Sequence, residues 1–264
     1  MSRFWGLAIV LMVLAAPRAA FCAGKQPAEP PSAAAAAARY ARCLQLADTH
    51  PLSAQYFAKS WGKEGGAHPA QHCAAVALFR LGKYKEAAIR LDALAHEMDQ
   101  DPPSLRGHVL DQAGEAWLMA GDPVRAYADL GAALVQLPND PGILIDRAQV
   151  EALSRNFAGA VHDLTRVLEK YPKRVDALVY RASAYQALGR FGPALADADA
   201  AVALAPHSVP ALLERGNIRG LEGNLAGARA DWLRVVKLSP KSAAGLAAAA
   251  NLKALDAKSH RGGR

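Results

Sequence analysis

Hydrophobic and polar positions along the chain repeat with a period of 34 residues. Four consecutive blocks start at Gly107, Pro141, Val175 and Val209; the third reads VDALVYRASAYQALGRFGPALADADAAVALAPHS. Small residues hold two fixed places in them: Gly114, Ala148, Ala182 and Gly216 at the eighth, and Ala126, Ala160, Ala194 and Ala228 at the twentieth. Pro138, Pro172, Pro206 and Pro240 recur near the block ends. An earlier block, His68 to Asp101, carries the same kind of turn, LGKYKEAA, and five extra residues separate it from the next. The pattern predicts two helices of about 13 residues per block, joined by a tight turn. Small residues let the two backbones approach closely. Gly121, Gly189 and Gly223 sit at the turn, where left-handed geometry costs a glycine little, and the prolines stop the second helix. One such hairpin cannot bury its apolar face alone, so neighbouring hairpins must stack around a continuous core.

In length, register and small-residue places the blocks resemble the tetratricopeptide repeat (TPR). The resemblance covers residues 68–242 as five repeats, 68–101, 107–140, 141–174, 175–208 and 209–242, about two thirds of the chain. It implies an all-α fold: a right-handed TPR superhelix of antiparallel helix pairs with N- and C-terminal capping helices. The N-terminal cap is expected over 39–66 as a degenerate pair, Arg39 to Asp48 and Leu52 to Trp61, with Pro51 suited to the first turn of its second helix. A capping helix is expected over 243–257, begun by Ser242, and then a basic disordered tail over 258–264.

The resemblance also implies that the first helices line a concave groove where a peptide docks. Counted along the blocks, the groove positions hold Asp111, Gln112, Glu115 and Met119, then Asp146 and Gln149, then Tyr180, Ser183 and Gln186, then Glu214 and Asn217. Leu118, Leu153 and Leu213 add apolar patches. The surface is polar to mildly acidic. It departs from TPRs that present Lys, Arg and Asn to clamp a peptide carboxylate, so the expected occupant is a neutral or basic segment, extended or helical.

A charge ladder runs with the same period. Asp129, Asp163, Asp197 and Asp231 stand on the second helices, and Arg147, Arg181 and Arg215 on the first. Each Asp has two candidate partners, the Arg 18 residues ahead in the next repeat or the Arg 16 residues behind in its own. Arg90 holds the Asp place of the first block and Ala113 the Arg place of the second, so both charges are missing at one junction. That coincidence favours the inter-repeat pairing. The expected role is structural, as register-fixing ion pairs.

The N-terminus sets the expected compartment. Arg3, the apolar run Leu7 to Ala16, Pro17, and then Ala20, Cys22 and Ala23 have the layout of a secretory signal peptide over 1–23. Phe21 before Cys22 argues against lipid attachment. An Ala/Pro-rich linker follows over 24–38. The expected location is the periplasm or outside the cell, with no membrane association after cleavage. Composition agrees with a soluble helical chain: hydrophobic residues are 52%, charged residues 21% and aromatics 6%. Cleavage after Ala23 takes away Arg3 and Arg18 and no acid, lowering the net charge from +7 to +5, too modest and too dispersed to call for nucleic acid.

The stretch His68-Pro69-Ala70-Gln71-His72-Cys73 looks most like chemistry. Histidines at i and i+4 share a helix face, which opens a metal-binding alternative through His68 and His72. But His68 reads as a helix N-cap before Pro69, and Cys73 points about 100° away from His72, so three ligands converge poorly. Without Cys22 the mature chain keeps Cys43 and Cys73, an even pair in an exported protein, which reads as a disulfide stapling the N-terminal cap to the first repeat. There is no phosphate-cradling loop, haem attachment motif, HExxH or GxSxG. The expectation is a non-catalytic scaffold without cofactor or metal, binding a protein or peptide; self-association through the repeat edges is a further alternative.

Overall fold

The computed structural model describes residues 32–262, with side chains through residue 257. The expected signal peptide and the linker up to residue 31 lie outside the described residues. Within them the chain forms thirteen helices and no strand. An N-terminal pair, α1 (Ala33–Thr49) and α2 (Pro51–Lys63), precedes five repeat pairs. These are α3 (Ala67–Arg80) with α4 (Tyr84–Glu97), α5 (Pro103–Met119) with α6 (Pro123–Gln136), α7 (Pro141–Leu153) with α8 (Phe157–Lys170), α9 (Val175–Ala187) with α10 (Phe191–Leu204), and α11 (Val209–Leu221) with α12 (Leu225–Leu238). A final helix, α13 (Ala243–Gly262), closes the stack. Among the described residues no helix is long and apolar enough to cross a membrane.

Local sequence explains the boundaries. Asp122, Asp140, Asn156, Ser208 and Asn224 accept backbone N–H bonds at the starts of α6, α7, α8, α11 and α12. Proline occupies the first turn of α2, α5, α6, α7 and α11, where no backbone N–H is needed. The turn within each repeat passes through one left-handed residue, a glycine in four of them; Arg155 takes that place in the middle repeat at φ 62°. The small places do what their size allows. A Cβ on Gly114 would meet the Leu130 side chain at 2.7 Å, and Ala126, Ala160, Ala194 and Ala228 are fully buried.

Four boundaries differ from those expected. Helix α1 starts at Ala33, inside the stretch expected as linker, because Ser32 caps it and the alanine run that follows favours helix. Helix α3 starts at Ala67, so His68 lies inside the helix instead of capping it. Helix α5 starts at Pro103 and takes up most of the residues between the first two blocks. The tail expected to be disordered continues α13 through Gly262, because the first strong stop signal is the Gly262-Gly263 pair and basic residues suit a helix C-terminus.

First helices of neighbouring repeats (α5 with α7, α7 with α9, α9 with α11) approach one another more closely than second helices do. The first helices are therefore the inner layer of a curved stack and the second helices the outer one. The N-terminal pair sits on α3 through a small core of its own, built from Cys43, Ala47, Ala54, Trp61, Cys73 and Ala77. Cys43 and Cys73 are disulfide-linked across it, with Cα atoms 6.1 Å apart.

The charge ladder corrects the sequence expectation. Each arginine grips the aspartate of its own repeat, 16 residues on, in a two-pronged bond: Arg147 to Asp163 at 2.6 and 2.8 Å, Arg181 to Asp197 at 2.7 and 2.8 Å, and Arg215 to Asp231 at 2.8 and 2.7 Å. The third guanidinium nitrogen serves the preceding repeat instead, at a place two residues beyond its aspartate: Thr165 for Arg181 at 3.2 Å and Asp199 for Arg215 at 3.1 Å. Asp129 consequently does not pair with Arg147. Its own repeat has Ala113 where the arginine should be, and it lies beside Asp92 of α4 instead. Removing one partner of a largely buried pair strands the other charge and costs about 3–5 kcal/mol. Arg181→Ala is therefore expected to lower the thermal unfolding midpoint by several degrees. Arg181→Lys should recover only part, because an ammonium cannot make the fork. A melting temperature unchanged in Arg181→Ala would contradict this role.

Candidate functional site: the inner groove

The inner layer collects the side chains that the repeat register assigned to a groove, but not as one uniform surface. At α5 and α7 it carries an acidic cluster. Asp111, Glu115 and Asp146 lie close enough to repel one another, and Asp140 at the start of α7 adds to the field. Burial first, and then these neighbours, push the Asp111 carboxyl up to about 7 and that of Asp146 up to about 6. Asp146 Oδ1 accepts a bond from Gln149 Nε2 at 3.1 Å. Asp111 Oδ1 is buried and has no hydrogen-bond partner among the described residues.

Immediately beyond Gln149 the groove deepens into a hollow of ≈ 260 Å³ lined by Leu118, Gln149, Ala152, Leu153, Tyr180 and Ser183, among others. Its wall is mostly apolar. Leu153 is 67% exposed and Tyr180 40%, both with large surfaces turned to solvent. Met119, also exposed, stands at the end of α5 and does not line this hollow. Further along, Gln186 and Asn217 line a second hollow of ≈ 430 Å³ with Trp232 and Asn251. Gln186 Oε1 and Glu214 Oε1 are buried without a partner among the described residues, and burial pushes the Glu214 carboxyl up to about 7.

Two of the expected groove residues are partly occupied by the fold itself. Asn217 Oδ1 accepts from Trp232 Nε1 at 3.1 Å and from Asn251 Nδ2 at 3.0 Å. Asn251 was missed from sequence, although it stands 34 residues beyond Asn217 and so continues the period into the capping helix. Gln112 Oε1 lies 2.6 Å from His72 Nε2, whose other ring nitrogen is 2.8 Å from the Tyr40 hydroxyl. The amide oxygen accepts, so Nε2 carries the proton and Nδ1 accepts from tyrosine. Burial holds His72 below the usual imidazole range, in keeping with that neutral ring.

The same bonds divert the two histidines from a common ligand. His68 Nδ1 is 2.9 Å from Asp101 Oδ2, while His72 is spent on Tyr40 and Gln112. Among the described residues no group of three or more His, Cys, Asp or Glu side chains is placed to hold a metal ion.

Comparison with solved structures decides the fold. A tetratricopeptide repeat protein from Parabacteroides merdae superposes with a TM-score of 0.69 at 18% identity, covering 85% of this chain and 89% of that one. The chain has the tetratricopeptide fold. MamA from Desulfovibrio magneticus RS-1 matches this TPR chain with a TM-score of 0.59 at 20% identity, covering 67% and 97% of the two chains. A chain of the APC/C Cut9–Hcn1 hetero-tetramer gives 0.65 at 15%, over 83% of this chain and 42% of the other. No protein-family model matches the sequence, and comparison with curated proteins finds no match.

The raised carboxyls link the groove to stability. A carboxyl whose folded-state pKa lies above its unfolded value holds a proton that the unfolded chain has already lost. Its stabilising contribution is complete below about pH 4 and is lost as pH rises through the folded value. Asp111, Asp146 and Glu214 all act in this sense, as does Glu151, raised to about 7 by burial and then by Asp163. The melting temperature is therefore expected to rise when pH falls from 8 to 6, and Asp111→Asn with Glu214→Gln should flatten that dependence. A melting temperature that falls over this interval would contradict the assignment.

Proposed function

We propose that this protein is an exported, non-catalytic scaffold that holds a neutral or basic segment of a protein partner against its first helices. The observation that carries the reading is the composition of the inner layer. Partner-free carboxyl and amide oxygens stand on α5, α9 and α11 of this layer, which also holds an apolar hollow wide enough for a large side chain. Buried polar atoms without partners are costly, so a ligand that supplies donors gains by meeting them. An extended or helical segment brings such donors in its backbone, in lysine or arginine, and in amide side chains, and it can seat one apolar residue between Leu153 and Tyr180. TPR solenoids are suited to this because the curve of the stack makes an elongated concave surface.

Export is part of the proposal and rests on the sequence: the N-terminal leader pattern, and two cysteines left to pair after cleavage. The periplasm of a Gram-negative cell is the compartment that fits. The scaffold reading adds no cofactor and no nucleic-acid partner, and it leaves the mature chain free of the membrane.

Photo-crosslinking tests the groove directly. A crosslinking residue in place of Ser183, inside the hollow, should capture a discrete partner from periplasmic extract. One in place of Val135, 75% exposed on the second helix α6, should not. Gln149→Ala/Tyr180→Ala should reduce recovery of that partner at least about tenfold, as expected for loss of anchoring contacts. Equal recovery by the double variant, or equal labelling from Val135, would overturn the reading.

A further inference from the structure

The first repeat departs from the ladder in a way that leaves a cavity. In the three repeats with complete rungs, the seventh residue of the block is the arginine that fills the space under its own second helix, and the twenty-third is the aspartate it grips. In the first block those places hold Ala74 and Arg90. The bulky cation is gone from the first helix, and a guanidinium stands where the carboxylate stood. Both residues line a hollow of ≈ 530 Å³ between α2 and α4, over α3. It lies between second helices, on the side of the stack away from the groove.

Its walls mix polar and apolar surface and carry unpaired positive charge. Lys59 enters from α2 and Arg90 from α4, both exposed to solvent, and neither has an acidic partner among the described residues. The acid nearest by hydrogen bonding is Glu97 of α4, which is 3.0 Å from the Gln71 amide, itself a wall residue. Gln55 closes the floor by donating to the Ala74 carbonyl oxygen, and Tyr56 stands at the rim, 78% exposed.

We propose that this hollow is an anion site that binds a small organic carboxylate of amino-acid to dipeptide size. The carboxylate sits over Ala74 and bridges Arg90 and Lys59, remaking with inverted polarity the ion pair that three later repeats build internally. A guanidinium fork matches a carboxylate in two parallel bonds, which is why arginine is the stronger of the two contacts. The size of the cavity and the wall amides suit a ligand with a second polar group.

The test is a titration of isotope-labelled, oxidised protein with glutarate, glutamate and inorganic phosphate, followed by amide NMR. Glutarate and glutamate should shift the Lys59, Ala74 and Arg90 resonances saturably. Arg90→Ala should weaken that binding by at least about tenfold, the scale of one charge-assisted pair. The variant Ala74→Arg/Arg90→Asp rebuilds a rung and fills the cavity, so it should abolish the shifts and melt above wild type. Absence of saturable shifts, phosphate binding as tight as the carboxylates, affinity unchanged in Arg90→Ala, or a rebuilt rung that melts below wild type would each overturn the proposal. None of these outcomes bears on the groove, which involves other helices.

Discussion

A two-pronged bond from a first-helix arginine to the aspartate sixteen residues later sets the geometry on which this solenoid depends. The fork fixes both the separation and the rotation of the two helices in a hairpin, because it is satisfied only when guanidinium and carboxylate are coplanar. In Arg181 and Arg215 a further nitrogen is spent on the preceding second helix. Each of these two side chains thereby ties three helices together, and across the three rungs the aspartate is 1% to 10% exposed. Close packing at the small residues brings the helices into range. The bond then selects a single register from the several that apolar packing between alanine-rich faces would tolerate.

The ladder stops at the second repeat, and the molecule changes character there. Ala113 withholds the arginine, and Asp129 is left beside Asp92, which accepts from Trp117 Nε1 at 3.0 Å. Burial, followed by the proximity of Asp92, raises the Asp129 carboxyl to about 8, where the three repeats with complete rungs hold their aspartates against an arginine. The Arg125 guanidinium stands over the Trp117 ring at 4.4 Å. One repeat earlier the polarity is reversed at Arg90. This N-terminal half has no complete rung, and it is where the disulfide lies. Two different locks, one covalent and one ionic, hold the two ends of the same stack.

Fold class was legible because the period, the small places and the turn glycines all encode the same hairpin. The partners of the ladder were not. Spacing along the chain makes sixteen and eighteen residues equally available, and only the direction in which the arginine leaves its helix separates them. The joint loss of charge at one junction pointed the wrong way: the alanine at position 113 deprives its own repeat's aspartate, and Arg90 belongs to a different hairpin. The groove residues sit on the inner helices in the order the register assigned, yet the register does not show that Gln112 is turned toward His72 or that Asn217 is held by Asn251. Those bonds depend on neighbours 40 and 34 residues away, one of them outside the recognised repeats.

Native-state hydrogen exchange, resolved helix by helix with and without reductant, tests the two-lock account most directly. Opening a loop closed over 30 residues removes about 3–4 kcal/mol on the chain-entropy estimate. The account predicts that reduction strips protection from α1, α2 and α3 while α7 through α12 exchange as before. Equal loss of protection along the whole chain, or no loss at the N-terminal pair, would contradict it.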